Sequence, residues 1–176
     1  MPKNSSLPDA DTNLTRLQAA VRDGLPALVL LTSIFFVNFS ARIVLAPLMP
    51  AVESDLAISH AEGGSLFLLI SLGFFVAILA SGFITSRLTH KQTIISTNIV
   101  LGFALLFTSF STGLWGMRLG LIMVGMATGP YIPSSIATLT TLIRSRDWGK
   151  AIGIHELAPN MSFVLAPLVC EAVMYW

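Results

Sequence analysis

An arginine set inside an apolar run is the residue of this chain that most needs a chemical explanation. Arg42 lies in a stretch from Leu25 to about Leu48 that carries no acid. A cation in hydrocarbon costs at least about 2.5 kcal/mol unless something satisfies it. Asn38 stands four residues earlier on the same helical face, and Ser40 adds a hydroxyl. A guanidinium so placed can hold an anion through its planar fork of donors. The competing reading is that Arg42 snorkels to an interface or pairs structurally with an acid. His155 and Glu156 form a second constellation. Neighbours on a helix are about 100° apart, so the two cannot face one point. A carboxyl in a dry bundle can load and release a proton near neutral pH, which suits proton coupling. The alternative is an ion pair of Glu156 with Lys150 or Arg87. Tyr131 and Asn160 can line a polar cavity with Asn38, or make interhelical hydrogen bonds worth about 0.6 kcal/mol each.

Other chemistry finds no support in the sequence. No nucleophile sits beside a base, and no carboxylates pair at a useful spacing, so an enzyme is not expected. No metal cluster, cofactor motif or nucleic-acid surface is legible. The single cysteine, Cys170, excludes an internal disulfide framework and lies in an apolar run as a small packing residue. The 176 residues are 54% hydrophobic and only 11% charged, with mean hydropathy +0.79. Soluble domains run near 25% charged. Too few charges remain to cover a soluble surface, so the expectation is an all-α polytopic membrane protein.

The elements that must position these residues follow from the apolar runs. Residues 1–24 read as a cytoplasmic tail, in which Leu14, Leu17, Ala20 and Val21 line one side of a short helix. The run from Leu25 is too long for the core of a secretory signal and reads as a retained first span with a polar outer half. Ala51 to His60 then reads as an acidic loop. Ser59 and Glu62 form a capping box that opens a second helix, about His60 to Thr85. Gly63, Gly64, Gly73 and Gly82 give that helix small residues for close packing. A third span runs from about Thr93 to Phe110, with a tight turn at Ser111-Thr112-Gly113. The fourth runs from about Leu114 to Ile143 and the fifth from about Ala151 to Trp176. Phe35, Phe36, Phe74 and Phe75 read as lipid-facing or packing residues, Arg118 as snorkelling outward, and Glu171 as solvated. Residues 25–176 thus form five transmembrane helices.

Every loop cation falls on one side of this arrangement. Lys3, Arg16 and Arg22 precede span one, Arg87 and Lys91 lie between spans two and three, and Arg144, Arg146 and Lys150 lie between four and five. That bias places the N-terminus in the cytoplasm of a cell (inner or plasma) membrane. Ala46-Pro47-Leu48-Met49-Pro50 in span one and Gly129-Pro130-Tyr131-Ile132-Pro133 in span four share a pattern of a small residue, Pro, two residues, Pro. The two spans cross in opposite directions, as in a three-helix unit repeated with inverted topology.

The loop Gly82 to Gln92 carries a resemblance. Gly82, Arg87 and Lys91 fall where major facilitator superfamily transporters have Gly, Arg and a basic residue between their second and third helices. Ser86 and His90 stand where that family usually has Asp and Gly. Gly125, Gly129 and Pro133 at four-residue spacing are similar to the family's fourth helix. Lys150-Ala151-Ile152-Gly153 and Ala166-Pro167 are similar to its fifth. The resemblance implies the first five helices of an N-terminal half, with the second inverted repeat incomplete and a C-terminal half missing. It implies a secondary carrier, a symporter or antiporter, that moves a small solute by alternating access with a proton or other coupling ion. An Arg in helix one resembles the anion porters of the family, so an organic anion is the expected solute, with Arg42, Asn38, Tyr131 and Asn160 as its contacts and Glu156 and His155 as proton-coupling residues. A different class also fits five helices: a small non-transporting membrane protein that serves as an assembly or interaction partner. Beyond the solute and ion, the expected partner is the lipid bilayer.

Topology is directly testable. Reporter fusions after Asp55 and Ser111 should report the outer side, and fusions after Lys91 and Lys150 the cytoplasm. A cytoplasmic signal at Asp55 would sink the N-inside arrangement.

Overall fold

The protein is described here as a computed structural model that gives the backbone of residues 10–174 and the side chains of residues 24–174. Among the described residues all regular structure is helical. Five stretches are long and apolar enough to cross a membrane: Gly24–Leu56, His60–Arg87, His90–Ser109, Leu114–Leu142 and Ser145–Met174. Span one consists of α1 (Ala10–Ile43) and α2 (Leu45–Leu56). Span two is α3 (His60–Arg87) and span three α4 (His90–Ser109). Span four joins α5 (Leu114–Thr128) to α6 (Tyr131–Leu142). Span five opens with a 3-10 turn at Ser145–Asp147 and continues through α7 (Trp148–His155) and α8 (Leu157–Met174).

Span one differs from the sequence expectation. The helix does not stop near Leu48 but runs to Leu56, so Glu53 and Asp55 are helical and the connection is only Ala57–Ser59. Pro50 sits inside α2 without ending it. What ends it is Ala57, at φ 49°, whose left-handed backbone lets its N–H reach back to the last carbonyls. Helix α1 already begins at Ala10, ahead of the apolar run. The side chains of Leu14, Leu17, Ala20 and Val21 lie outside the described residues, as do Asn4 and Trp176.

The expected capping box is present. The Ser59 hydroxyl accepts from the Glu62 N–H at 3.3 Å, and the Glu62 carboxylate accepts from the Ser59 N–H at 2.9 Å. A second one opens span three: Thr89 and Gln92 repeat the same reciprocal pair. It was legible as Thr-x-x-Gln and passed unread among the cations of the basic loop.

Three spans are interrupted, at Val44, at Gly129–Pro130 and at Glu156. Each time a proline is the third residue of the segment that follows: Pro47, Pro133 and Pro159. Proline lacks the N–H that would bond the carbonyl four residues back, and its ring crowds that carbonyl. The carbonyls concerned are those of Ile43, Gly129 and His155. Val44, Pro130 and Glu156 all keep right-handed helical or near-helical dihedrals, so the breaks bend the spans rather than turn them. By position in the break, Pro47 corresponds to Pro133, three residues from the match that the paired prolines suggest.

Span four is the centre of the bundle, with 61% of its apolar window buried against 17–28% for the others. It packs along α3 through glycines. A Cβ on Gly125 would run into the Ile70 carbonyl oxygen, and one on Gly73 into that of Ile122. Gly129 lies over Ala77, whose Cβ would be 2.7 Å from an added methyl. Gly64 and Gly82 face open space, so the expectation that all four glycines of span two serve packing holds only for Gly73 and Gly63. The outward surface is apolar, with Leu68, Phe83, Phe103, Phe110, Phe163 and Val173 all exposed, as a lipid-facing surface requires.

Gly125→Leu should lower the thermal unfolding midpoint in detergent, at a cost of about 3 kcal/mol from overpacking. Gly82→Ala should be neutral or stabilising by up to about 1 kcal/mol through helix propensity. Equal effects of the two substitutions would contradict the crossing described.

Candidate functional site

Arg42 sits in the last turn of α1. It is 14 residues, or roughly 21 Å of helical rise, from the end of α2 at Leu56. The extension of span one to Leu56 therefore moves Arg42 deeper from the outer end than a span stopping near Leu48 would. Its guanidinium carbon lies 3.9 Å from the centre of the Phe74 ring and 5.5 Å from that of Phe39. Cation–π contact is worth about 2 kcal/mol when desolvated, which offsets part of the cost of burial. No acid approaches it within ion-pair distance among the described residues. Its Nε is buried with no hydrogen-bond partner among them. Arg42 borders a cavity of about 290 Å³ between spans one, two and five, whose other walls include Pro47, Phe67, Ser71 and Phe163. The Phe74 ring, expected to face lipid or pack, packs as the floor under the cation.

Asn38 lies one turn below, 2% exposed, and its Nδ2 also has no partner among the described residues. Two side chains tether span one nearby. Ser162 of α8 donates at 2.9 Å to Ala158 O and lies 3.1 Å from Phe36 O, while Ser40 donates to Ser162 Oγ at 3.1 Å. Ser40 thus has a structural bond rather than a free cavity position.

Deeper, three rings stack. Phe35 packs face to face against both Tyr131 (centroids 5.4 Å, 25°) and His155 (4.6 Å, 15°), and those two rings are 6.2 Å apart at 11°, so the three form a near-parallel triangle. Phe35 is 3% exposed and both partners are fully buried, so Phe35 belongs to the core and not to the lipid face. The Tyr131 hydroxyl donates to Leu31 O at 2.6 Å. Its proton being so used, the phenol oxygen can only accept from His155 Nε2, 3.5 Å away. That arrangement leaves the His155 Nδ1 lone pair open. Nδ1 has no hydrogen-bond partner among the described residues, and the nearest carboxylate oxygen, of Glu156, is 3.6 Å away. The Glu156 side chain itself is 49% exposed, not sealed in a dry bundle as the sequence suggested. The pair does meet despite its angular separation, because Glu156 occupies the break between α7 and α8.

The remaining expected residues are more dispersed. Asn160 is exposed and donates to Glu156 O in its own span at 2.9 Å, away from Arg42. Tyr131 is engaged with Leu31 and His155 rather than with the Arg42 cavity. In the basic loop, Ser86 donates to Phe83 O at 2.7 Å and Arg87 lies over the Phe83 ring, so both are held by their own helix. Lys91 is exposed. Arg118 lies 5.0 Å from the centre of the Trp115 ring. Cys170 is buried, as a packing residue should be. Glu171 is exposed. Sequence reasoning took Phe35 as a lipid-facing or packing residue without placing it beside the site, and it missed the fully buried Ser134 and Ser162. A signal existed for Phe35: Leu28, Leu31, Phe35, Asn38 and Arg42 are spaced three or four apart, one inward stripe that is buried except at the half-buried Arg42.

The chain matches the sequence pattern of the Major Facilitator Superfamily over residues 31–176. No curated protein matches it. The matched stretch reaches from within span one through span five, and so takes in the arginine, the ring stack and the glycine crossing. A five-span helical arrangement under a match of that extent means that the chain belongs to the Major Facilitator Superfamily of membrane transporters.

Proposed function

We propose that the protein moves a small organic anion across its membrane by alternating access, with Arg42 as the anion contact and His155 with Glu156 as a proton-exchanging pair. The observation that carries this reading is the guanidinium of Arg42, half-buried within span one, stacked on Phe74, without an acid among the described residues and with a buried Nε that has no partner among them. An uncompensated charge there is stable only while water or a counter-ion reaches it, and the cavity beside it admits either. The walls of that cavity are largely aromatic and aliphatic, which favours a carboxylate on a carbon-rich body over a polyhydroxylated phosphate ester. Asn38, one turn away on the same face and outside the cavity wall, keeps a buried Nδ2 without a partner among the described residues.

Proton exchange is supported by the open Nδ1 of His155. A proton arriving through the exposed Glu156 carboxylate can pass to Nδ1 and be shared between the two groups across 3.6 Å. The ring stack on Phe35 holds the imidazole in place, and the Tyr131 oxygen fixes its tautomer. The same break in span five that exposes Glu156 lets that carboxylate and the buried ring occupy one turn. The basic loops support an orientation with the N-terminus in the cytoplasm.

Benzoate is a suitable probe, with benzyl alcohol as its neutral counterpart. Benzoate should raise the unfolding midpoint of the purified chain, and benzyl alcohol should not. Arg42→Gln should weaken the benzoate effect about tenfold to a hundredfold, the loss of a charge-assisted hydrogen bond, and Arg42→Lys should weaken it less. Stabilisation that survives Arg42→Gln would refute the anion assignment. Glu156→Gln should keep benzoate binding but abolish uptake driven by a pH gradient in membrane vesicles, and gradient-driven uptake in that variant would remove the pair from coupling.

A further inference from the structure

A second cavity, of about 300 Å³, lies at the basic end of the bundle, between the start of span one, the end of span four and the start of span five. Its deep wall is Leu28, and Leu25 and Ile154 flank it, 55% and 44% exposed toward the bilayer. Its rim carries three cations, Arg144, Arg146 and Lys150, and one carboxylate, Asp147. Arg144 has a partner of its own within the chain, so the charge available to a ligand is assigned to Arg146 and Lys150. Both are exposed, and among the described residues neither lies within ion-pair distance of Asp147. Beside the rim, Trp148 donates its indole N–H to Ile143 O at 2.8 Å while staying 39% exposed. A tryptophan that is half apolar and half bonded to a helix end marks the depth of a membrane interface.

We infer that this cavity binds an anionic phospholipid from the adjoining leaflet. The phosphate meets Arg146 and Lys150, and the upper part of one acyl chain lies against Leu25, Leu28 and Ile154. The two halves of the site call for the two halves of that molecule: cations at the water side, aliphatic side chains open to hydrocarbon below, with an interfacial ring between. A soluble anion would satisfy only the rim and leave the apolar wall in water. A zwitterionic lipid would bring a choline or amine that the excess positive charge repels. The site is separate from Arg42, whose cavity begins 14 residues beyond Leu28 along span one, and it does not depend on the identity of the transported solute. The lipid joins three spans at the end where span five opens with the 3-10 turn Ser145–Asp147 rather than an α-helix.

The test titrates dioleoyl phosphatidylglycerol into the purified full chain in neutral detergent and follows the unfolding midpoint. Dioleoyl phosphatidylcholine and inorganic phosphate serve as the zwitterionic and soluble-anion arms. Phosphatidylglycerol alone should stabilise the protein. Each cation removed should weaken that effect about fivefold, so Arg146→Gln with Lys150→Gln loses most of it. Arg87→Gln with Lys91→Gln, at the other basic loop, should retain it. Equal stabilisation by phosphatidylcholine, reproduction of the effect by phosphate, or equal loss in both double variants would overturn the site. Should the first double variant not fold, Trp148 fluorescence in a Trp115→Phe, Trp176→Phe background decides the matter on the unaltered loop. Brominated phosphatidylglycerol should quench it more than brominated phosphatidylcholine, and equal quenching would reject the inference.

Discussion

Spans two and four touch main chain to main chain, and the position of the half-buried cation depends on that contact. Gly73 faces Ile122 and Gly125 faces Ile70, a reciprocal crossing in which neither helix could carry even a methyl group. In a bilayer the hydrophobic effect does not hold two helices together, because lipid tails are as apolar as the side chains. Close packing has to do it, and packing is tightest where no side chain intervenes. Phe74 follows Gly73 directly, and its ring is the surface on which Arg42 rests. A glycine in span two therefore sets the height of the floor beneath a guanidinium that belongs to span one.

The buried polar groups sort into two kinds. Thr93, Thr97, Thr128 and Ser135 each donate to a carbonyl three or four residues back in their own helix. They are satisfied before the helices meet and ask nothing of their neighbours. Asn38 Nδ2, Arg42 Nε, Ser134 Oγ and His155 Nδ1 lack a partner among the described residues. A buried donor or acceptor without a partner costs about 1–3 kcal/mol. Polar groups of this second kind lie on spans one, four and five, and they are where a solute or a proton would repay the cost.

Much of this was legible in the sequence, for identifiable reasons. Hydropathy alone gave the five spans, because the chain has to satisfy its backbone inside lipid and only long helices can. Arg42 stood out because a charge in an apolar run has no cheap explanation. Its true depth was hidden, since Pro47 and Pro50 and the acids beyond them read as the end of a helix. The stop is instead at Ala57, a residue whose left-handed conformation nothing in its chemistry announces. The ring stack was hidden for another reason: periodicity shows that Phe35 is buried but not that His155, 120 residues on, lies over it. The Glu156 environment was misjudged because a break in span five turns the carboxylate outward. That break had a signal in Pro159, which gains meaning only beside Pro47 and Pro133.

Two of the bonds that bind span one to its neighbours have an unequal grammar. Tyr131 donates to the carbonyl of Leu31, and Ser162 lies at hydrogen-bond distance from the carbonyl of Phe36. In both, one end is a particular side chain and the other is main chain that every residue possesses. Position 31 can drift among apolar residues, and position 36 likewise, while the acceptor oxygen stays where the helix puts it. Positions 131 and 162 have no such latitude. Heritable change in this bundle is therefore tolerated along the rail and not at the hooks, so two sides of one contact can evolve at different speeds.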